Sequence, residues 1–198
     1  MEYTDEKTEE MTDLEKAEQF YRQDTAPAHN AIREFIKDSP MIVHGGRAIN
    51  AQLPDWLDRE TKDWDIFTKS DAESRALELE GKLDKRYGGD FFSVEPAVHP
   101  DTFRVRMKVT GDVIADITLK EKRVAFRNIE GINYATLGYH ERRIRQTLVD
   151  PEKAFRHRKD SETLQRIKIF KRVSRKAGGR RRIVSGVPGV GITVVATG

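Results

Sequence analysis

The segment from Met41 to Phe67 constrains this chain most, because it places a glycine pair and a pair of acids at the ends of two short apolar runs. It reads I-V-H-G-G-R-A-I-N from Ile42 to Asn50 and T-K-D-W-D-I-F from Thr61 to Phe67. Met41 to His44 is apolar and too short for a helix, so it reads as a buried strand ending at Gly45-Gly46. Asp63 to Thr68 reads as a second strand. Strand side chains alternate between faces, so Asp63 and Asp65 point one way while Trp64 and Ile66 point the other. Two same-face carboxylates beside a buried strand repel each other unless a cation compensates them. A glycine turn lets backbone N–H groups approach an anion with no Cβ in the way. Together these elements describe a place for a divalent cation and a nucleoside triphosphate.

Apolar spacing organises the rest. Met1 to about Thr25 is acidic with helical patches and reads as a peripheral helix or arm. Ala28 to Lys37 is an amphipathic helix with Ile32, Phe35 and Ile36 as its stripe, stopped before Pro40. Arg47 to Leu53 opens another helix. Ser70-Asp71 caps a helix from Ala72 to about Tyr87, and Gly88-Gly89-Asp90 turns the chain. Three strands follow at Phe91–Val98, Thr102–Val109 and Val113–Leu119, joined at Pro100-Asp101 and Gly111-Asp112. Tyr134 to Leu148 and Glu162 to Lys176 read as helices. This order predicts an α+β fold, a small mixed β-sheet covered by helices on one face with C-terminal helices beyond it. The expected divisions are an arm over 1–25, a core over 26–130, a helical region over 131–177 and a basic, then glycine-rich tail over 178–198. That tail is apolar and β-prone, and reads as a flexible end, a hairpin or an association segment.

At 198 residues the chain has length for one domain with appendages. It has no cysteine, which excludes a disulfide framework and a thiolate ligand or nucleophile. No apolar run approaches the ~20 residues of a membrane-spanning helix, and the N-terminus is acidic rather than signal-like. No membrane partner is expected, and a cytoplasmic location is. The net charge of +3 hides an acidic start and a basic stretch from Arg156 to Arg182. Such a stretch is either a footprint for nucleic acid or polyphosphate or a solvated helix face.

With the glycine pair, the D-W-D strand and a later strand containing Asp116, the chain resembles the nucleotidyltransferase superfamily, to which DNA polymerase beta and the poly(A) polymerases belong. The strings G-G-R-A-I-N and T-K-D-W-D-I look most like the poly(A) polymerase catalytic subunits of large DNA viruses. The resemblance covers Met41 to Leu119 and, more loosely, the helices through Ile169. It implies that Gly45 and Gly46 receive the triphosphate and that Asp63 and Asp65 hold Mg²⁺ or Mn²⁺. It also implies a third carboxylate. In V-I-A-D-I-T-L the alternation puts Asp116 on the face opposite Ala115 and Ile117, which suits that role; its rival Asp112 follows Gly111 and reads as turn chemistry. Arg47 is expected on the phosphates, and Asn50 either on the ribose or supporting the loop. His44, Thr61, Lys62, Arg158, Lys159 and Arg166 fit structural roles about as well as phosphate contacts. Tyr134 reads as a core residue or a base-stacking one.

What the resemblance implies is a template-independent transfer of a nucleoside monophosphate from an NTP, ATP by expectation, to an RNA 3′-hydroxyl by a two-metal mechanism. Viral poly(A) polymerases are longer, so a homo-oligomer or a partner subunit is expected. Two alternatives stand beside this reading. One is a nucleotidyltransferase acting on a protein or small molecule; the other is a non-catalytic nucleic-acid-binding or virion assembly module.

Overall fold

A computed structural model describes residues 25–179 and, before them, positions 12, 15, 16, 19, 21 and 22. Its elements run α1 (Ala26–Ile36), β1 (Ile42–His44), α2 (Gly45–Asn50), a 3-10 turn (Asp55–Leu57), β2 (Trp64–Thr68), α3 (Ala72–Tyr87), β3 (Phe92–Pro96), β4 (Thr102–Met107), β5 (Val113–Leu119), β6 (Phe126–Ile129), β7 (Ile132–Ala135), α4 (Leu137–Leu148), a 3-10 segment (Pro151–Arg156) and α5 (His157–Gly179). The acidic arm expected before residue 25 lies almost wholly outside the described residues, and the tail from Ile183 lies wholly outside them.

Among the described residues the strands form one mixed, seven-stranded sheet in the order β3-β4-β5-β2-β1-β7-β6. β2 pairs parallel with β5 and antiparallel with β1, and β1 pairs parallel with β7. Two helices cover one face. Ala72, Ala76, Leu79 and Leu83 recur at three-to-four spacing and form the buried stripe of α3. They meet Ile32, Phe35 and Ile36 of α1 and the sheet residues Val43, Trp64, Ile66, Val105, Ala115 and Ile117 in one core cluster. Each fully buried Leu or Ile there contributes about 1.5–3 kcal/mol, so a charge at Leu79 or Leu83 would break the layer. α3 starts where the Asp71 carboxylate accepts from the N–H groups of Glu73 and Ser74, and it ends at left-handed Gly88. The Asp84 carboxylate then accepts from Phe91 N at 2.8 Å and Phe92 N at 2.9 Å, which ties the end of α3 to β3.

After residue 125 the chain departs from the helix expected from Tyr134. Tyr134 does not begin a helix; it lies in β7, buried, and α4 begins at Leu137. Glu130 (φ 52) and Gly131 (φ 84) form a two-residue left-handed turn. That turn returns Ile132–Ala135 antiparallel to β6, with Ile42 and Val43 of β1 on the other side. The hairpin escapes a periodicity search because Phe126, Arg127 and Asn128 are all exposed and do not alternate.

The chain divides into two compact units, Met1–Arg143 and Ile144–Gly198. Within the second, His157 Nε2 lies 2.9 Å from Thr147 O and 3.1 Å from Asp150 O. Asp150 also caps the 3-10 segment by accepting from Glu152 N. No helix among the described residues is long and apolar enough to cross a membrane.

Candidate active site

Strand register assembles the site. Side chains at paired positions on neighbouring strands project from the same face. Asp65 is paired with Asp116 on β5 and with His44 on β1, while Asp116 is paired with Arg104 on β4, itself paired with Glu95 on β3. Glu95, Arg104, Asp116, Asp65 and His44 thus form a polar row across five strands. Trp64, Ala115 and Ile117 belong to the core cluster behind the sheet. Asp63, Asp65 and Asp116 are half-buried. The pairing of Asp65 with Asp116 unites two acids that the sequence separates by some fifty positions.

Both glycines stand where a side chain would collide. Gly45 has φ +68, and a Cβ there would overlap Oδ2 of Asp65 and lie 2.9 Å from its Cγ. A Cβ on Gly46 would lie 2.5 Å from Thr61 Cγ2. Gly45 therefore brings bare backbone against the Asp65 carboxylate, and Gly46 lets the Thr61 loop close over the start of α2.

Arg47 has a packing role beyond the expected phosphate contact. Its Nε donates to Asp63 O at 2.8 Å, and its Nη2 donates to Thr61 O and Lys62 O at 3.2 Å each. Its guanidinium also lies over the Trp64 ring, 4.5 Å from the centroid. Trp64 Nε1 in turn donates to His29 Nδ1 at 3.0 Å. Arg47 thereby clamps the loop that delivers Asp63. Burial lowers its pKa, and the charge of Asp63 opposes that shift. Asn50 holds the same loop further back: its Nδ2 donates to Arg59 O at 2.6 Å, and its Oδ1 accepts from Arg59 N at 3.4 Å.

Arg104 was not foreseen as a site residue. Its Nε donates to Asp116 Oδ1 at 2.9 Å and its Nη2 to Asp116 Oδ2 at 3.2 Å. The hydrogen-bonded Asp116 carboxylate raises the arginine's pKa. The only sequence signal was the alternation of Thr102, Arg104 and Arg106 on one face of a strand, and nothing local says which acid lies opposite. His44 sits buried against Phe67, with ring centroids 3.7 Å apart, and its Nε2 has no hydrogen-bond partner among the described residues. Burial holds its pKa well below the ordinary value, with Arg143 the next contributor.

The donor chemistry at Asp63 and Asp65 suits a hard divalent cation such as Mg²⁺ or Mn²⁺. Among the described residues, no group of three His, Cys, Asp or Glu side chains is gathered as a metal cage. Asp116, the third candidate, has both oxygens on Arg104. Arg158, Lys159 and Arg166 belong to the second unit.

No family model and no curated protein matches this sequence. Among solved structures, the chain is similar to the Megavirus polyadenylate synthase, with a TM-score of 0.60 and 16% identity over 86% of this chain. It spans 39% of the length of that structure's chain. A second match, to JHP933 from Helicobacter pylori, has a TM-score of 0.38 and 18% identity over 71% of this chain and 60% of that one, and carries no argument. The likeness to the Megavirus protein is one of fold, and it covers most of this chain.

Proposed function

We propose that the chain is a nucleotidyltransferase that adds a nucleoside monophosphate from ATP to the 3′-hydroxyl of an RNA. The observation that carries this reading is the register pair Asp65–Asp116 on β2 and β5, with the bare backbone of Gly45 against Asp65 and with Asp63 on the bend just before β2 rather than in the strand. In the transfer, the 3′-hydroxyl gives up its proton to solvent and its oxygen bonds to the α-phosphorus, while the bond from that phosphorus to the α–β bridging oxygen breaks and pyrophosphate leaves. Asp63 and Asp65 would hold Mg²⁺ or Mn²⁺, which supplies charge neutralisation on the phosphates and activation of the hydroxyl.

The remaining work falls to the chain itself. Gly45 keeps the approach to Asp65 free of side-chain atoms. Arg47 fixes the Thr61–Asp63 backbone, so that Asp63 emerges at a set angle beside Asp65. The preference for ATP and RNA rests on the similarity to a polyadenylate synthase and on the basic residues of α5, which suit a phosphate backbone.

The test is incubation with each labelled NTP, Mg²⁺ or Mn²⁺ and a short RNA, beside Asp63→Asn and Asp65→Asn. An RNA ladder that grows with ATP and is lost in both variants is the expected result. Label on protein or on a small acceptor, with none on RNA, would replace the RNA reading with the other acceptor class. Absence of metal-dependent NTP binding would sink the catalytic reading.

A further inference from the structure

Asp116 is in the right place for a third metal ligand and in the wrong company. The Arg104 fork satisfies both of its oxygens, and the two side chains are largely shielded, at 25% and 20% exposure. An arginine fork matches a carboxylate in plane and neutralises it, which a point charge does less well. Glu95, the other register partner of Arg104, is bonded by Arg106 Nε. Arg104 is thus directed at Asp116 rather than shared evenly between its two neighbours.

We propose that Arg104 is a resident counter-cation, a positioning residue that holds Asp116 until a divalent cation recruits that carboxylate to Asp63 and Asp65. Uptake of the ion and release of the fork are then one linked event. The inference rests on the nucleotidyl-transfer reading of the acids. Its logic is electrostatic: Asp65 and Asp116 stand in register on neighbouring strands, and carboxylates drawn together there with Asp63 would repel one another unless compensated. Arg104 supplies that compensation before the ion arrives, and it lowers the apparent affinity for the ion because a competing contact must open first. For a shielded, charge-assisted fork the competition corresponds to about a tenfold factor.

The experiment measures Mn²⁺ binding, from the EPR signal of the free ion, for wild type, Arg104→Gln, Arg104→Lys and Arg106→Gln, each checked for folding by a thermal melt. Arg104→Gln is expected to bind Mn²⁺ about tenfold more tightly, with Arg104→Lys in between because an ammonium cannot fork. Arg106→Gln removes the same charge from the same strand without freeing Asp116, so its affinity stays within about twofold of wild type. A merely structural Arg104 would weaken binding on removal rather than strengthen it. Wild-type binding with no gain in the Arg104 variants, or an equal gain in Arg106→Gln, overturns the inference alone. If Arg104→Gln does not fold, tighter binding by Arg104→Lys supports the inference and unchanged binding overturns it. No Mn²⁺ binding by any form removes the metal-site reading and the inference together.

Discussion

Replacing Arg47 with methionine separates its two roles, because the apolar stem stays while the guanidinium goes. The lost interactions are the bond to Asp63 O at 2.8 Å, the bonds to Thr61 O and Lys62 O at 3.2 Å, and the stacking on Trp64. A hydrogen bond from a charged donor contributes about 1.5 kcal/mol net. The two 3.2 Å bonds share one nitrogen and lie near solvent, so together they count as about one such bond. Stacking adds about 1 kcal/mol. Water takes over part of the exposed carbonyls, leaving an expected loss of about 3 kcal/mol. For a chain of this size that is a Tm lower by about 6–12 °C. Differential scanning calorimetry at pH 7.5, without ligands, reads it directly. Nucleotide affinity should also fall, because Asp63 loses its anchor, and Arg47→Lys should restore little, since an ammonium cannot span three carbonyls. A Tm within about 2 °C of wild type, with triphosphate binding alone weakened, would refute the clamp and return Arg47 to the phosphates.

Three further outcomes are expected. Gly45→Ala forces a side chain into a left-handed position and against Asp65, and should cost about 2 kcal/mol or more in urea unfolding together with divalent-ion binding; Gly81→Ala in α3, where a Cβ meets nothing within 4 Å, should instead stabilise by about 0.5–1 kcal/mol. His140 has a pKa pushed down to about 4 by burial and then by Arg143, against an ordinary 6.5, so the unfolded chain takes up its proton first as the pH falls. Stability is therefore whole above about pH 6.5 and drains toward pH 4, by about 2 kcal/mol at pH 5 from this residue. His29 and His44, both shifted downward by burial, act in the same sense, and equal urea midpoints at pH 7.5 and pH 5 would contradict this account.

Much of the scaffold was legible because its signals are local. Asp71 and Gly88 mark the ends of α3, and the Gly111-Asp112 turn followed by the apolar run Val113–Leu119 marks the bounds of β5. The glycine pair was legible as the break after β1, although both glycines belong to the start of α2 rather than to a turn before it, and the reason for each, Asp65 for one and Thr61 for the other, appears only in three dimensions. What escaped depends on pairing. Arg104 meets Asp116 because β4 lies beside β5 in one register, and a shift of one residue would turn it to the opposite face. Arg47 looked free for a ligand because its acceptors are backbone carbonyls, which carry no sequence signature. The β6–β7 hairpin was hidden by an exposed, non-alternating strand, although Glu130-Gly131 between two isoleucines was a turn signal.

That hairpin also sets an order of events in synthesis. β1 has three residues, and its far edge is closed by Ile132–Ala135, made about ninety positions later; Gln52 of the segment after α2 likewise donates to Ala135 O at 2.9 Å. Loop closure over such spans precedes any gain from the contacts it brings. A nascent chain halted at Leu119 would already contain the glycine turn and all three carboxylates, yet β1 would present an open edge to any passing strand. The candidate acids thus precede the strand that closes β1, and the geometry around them waits on residues outside the candidate site.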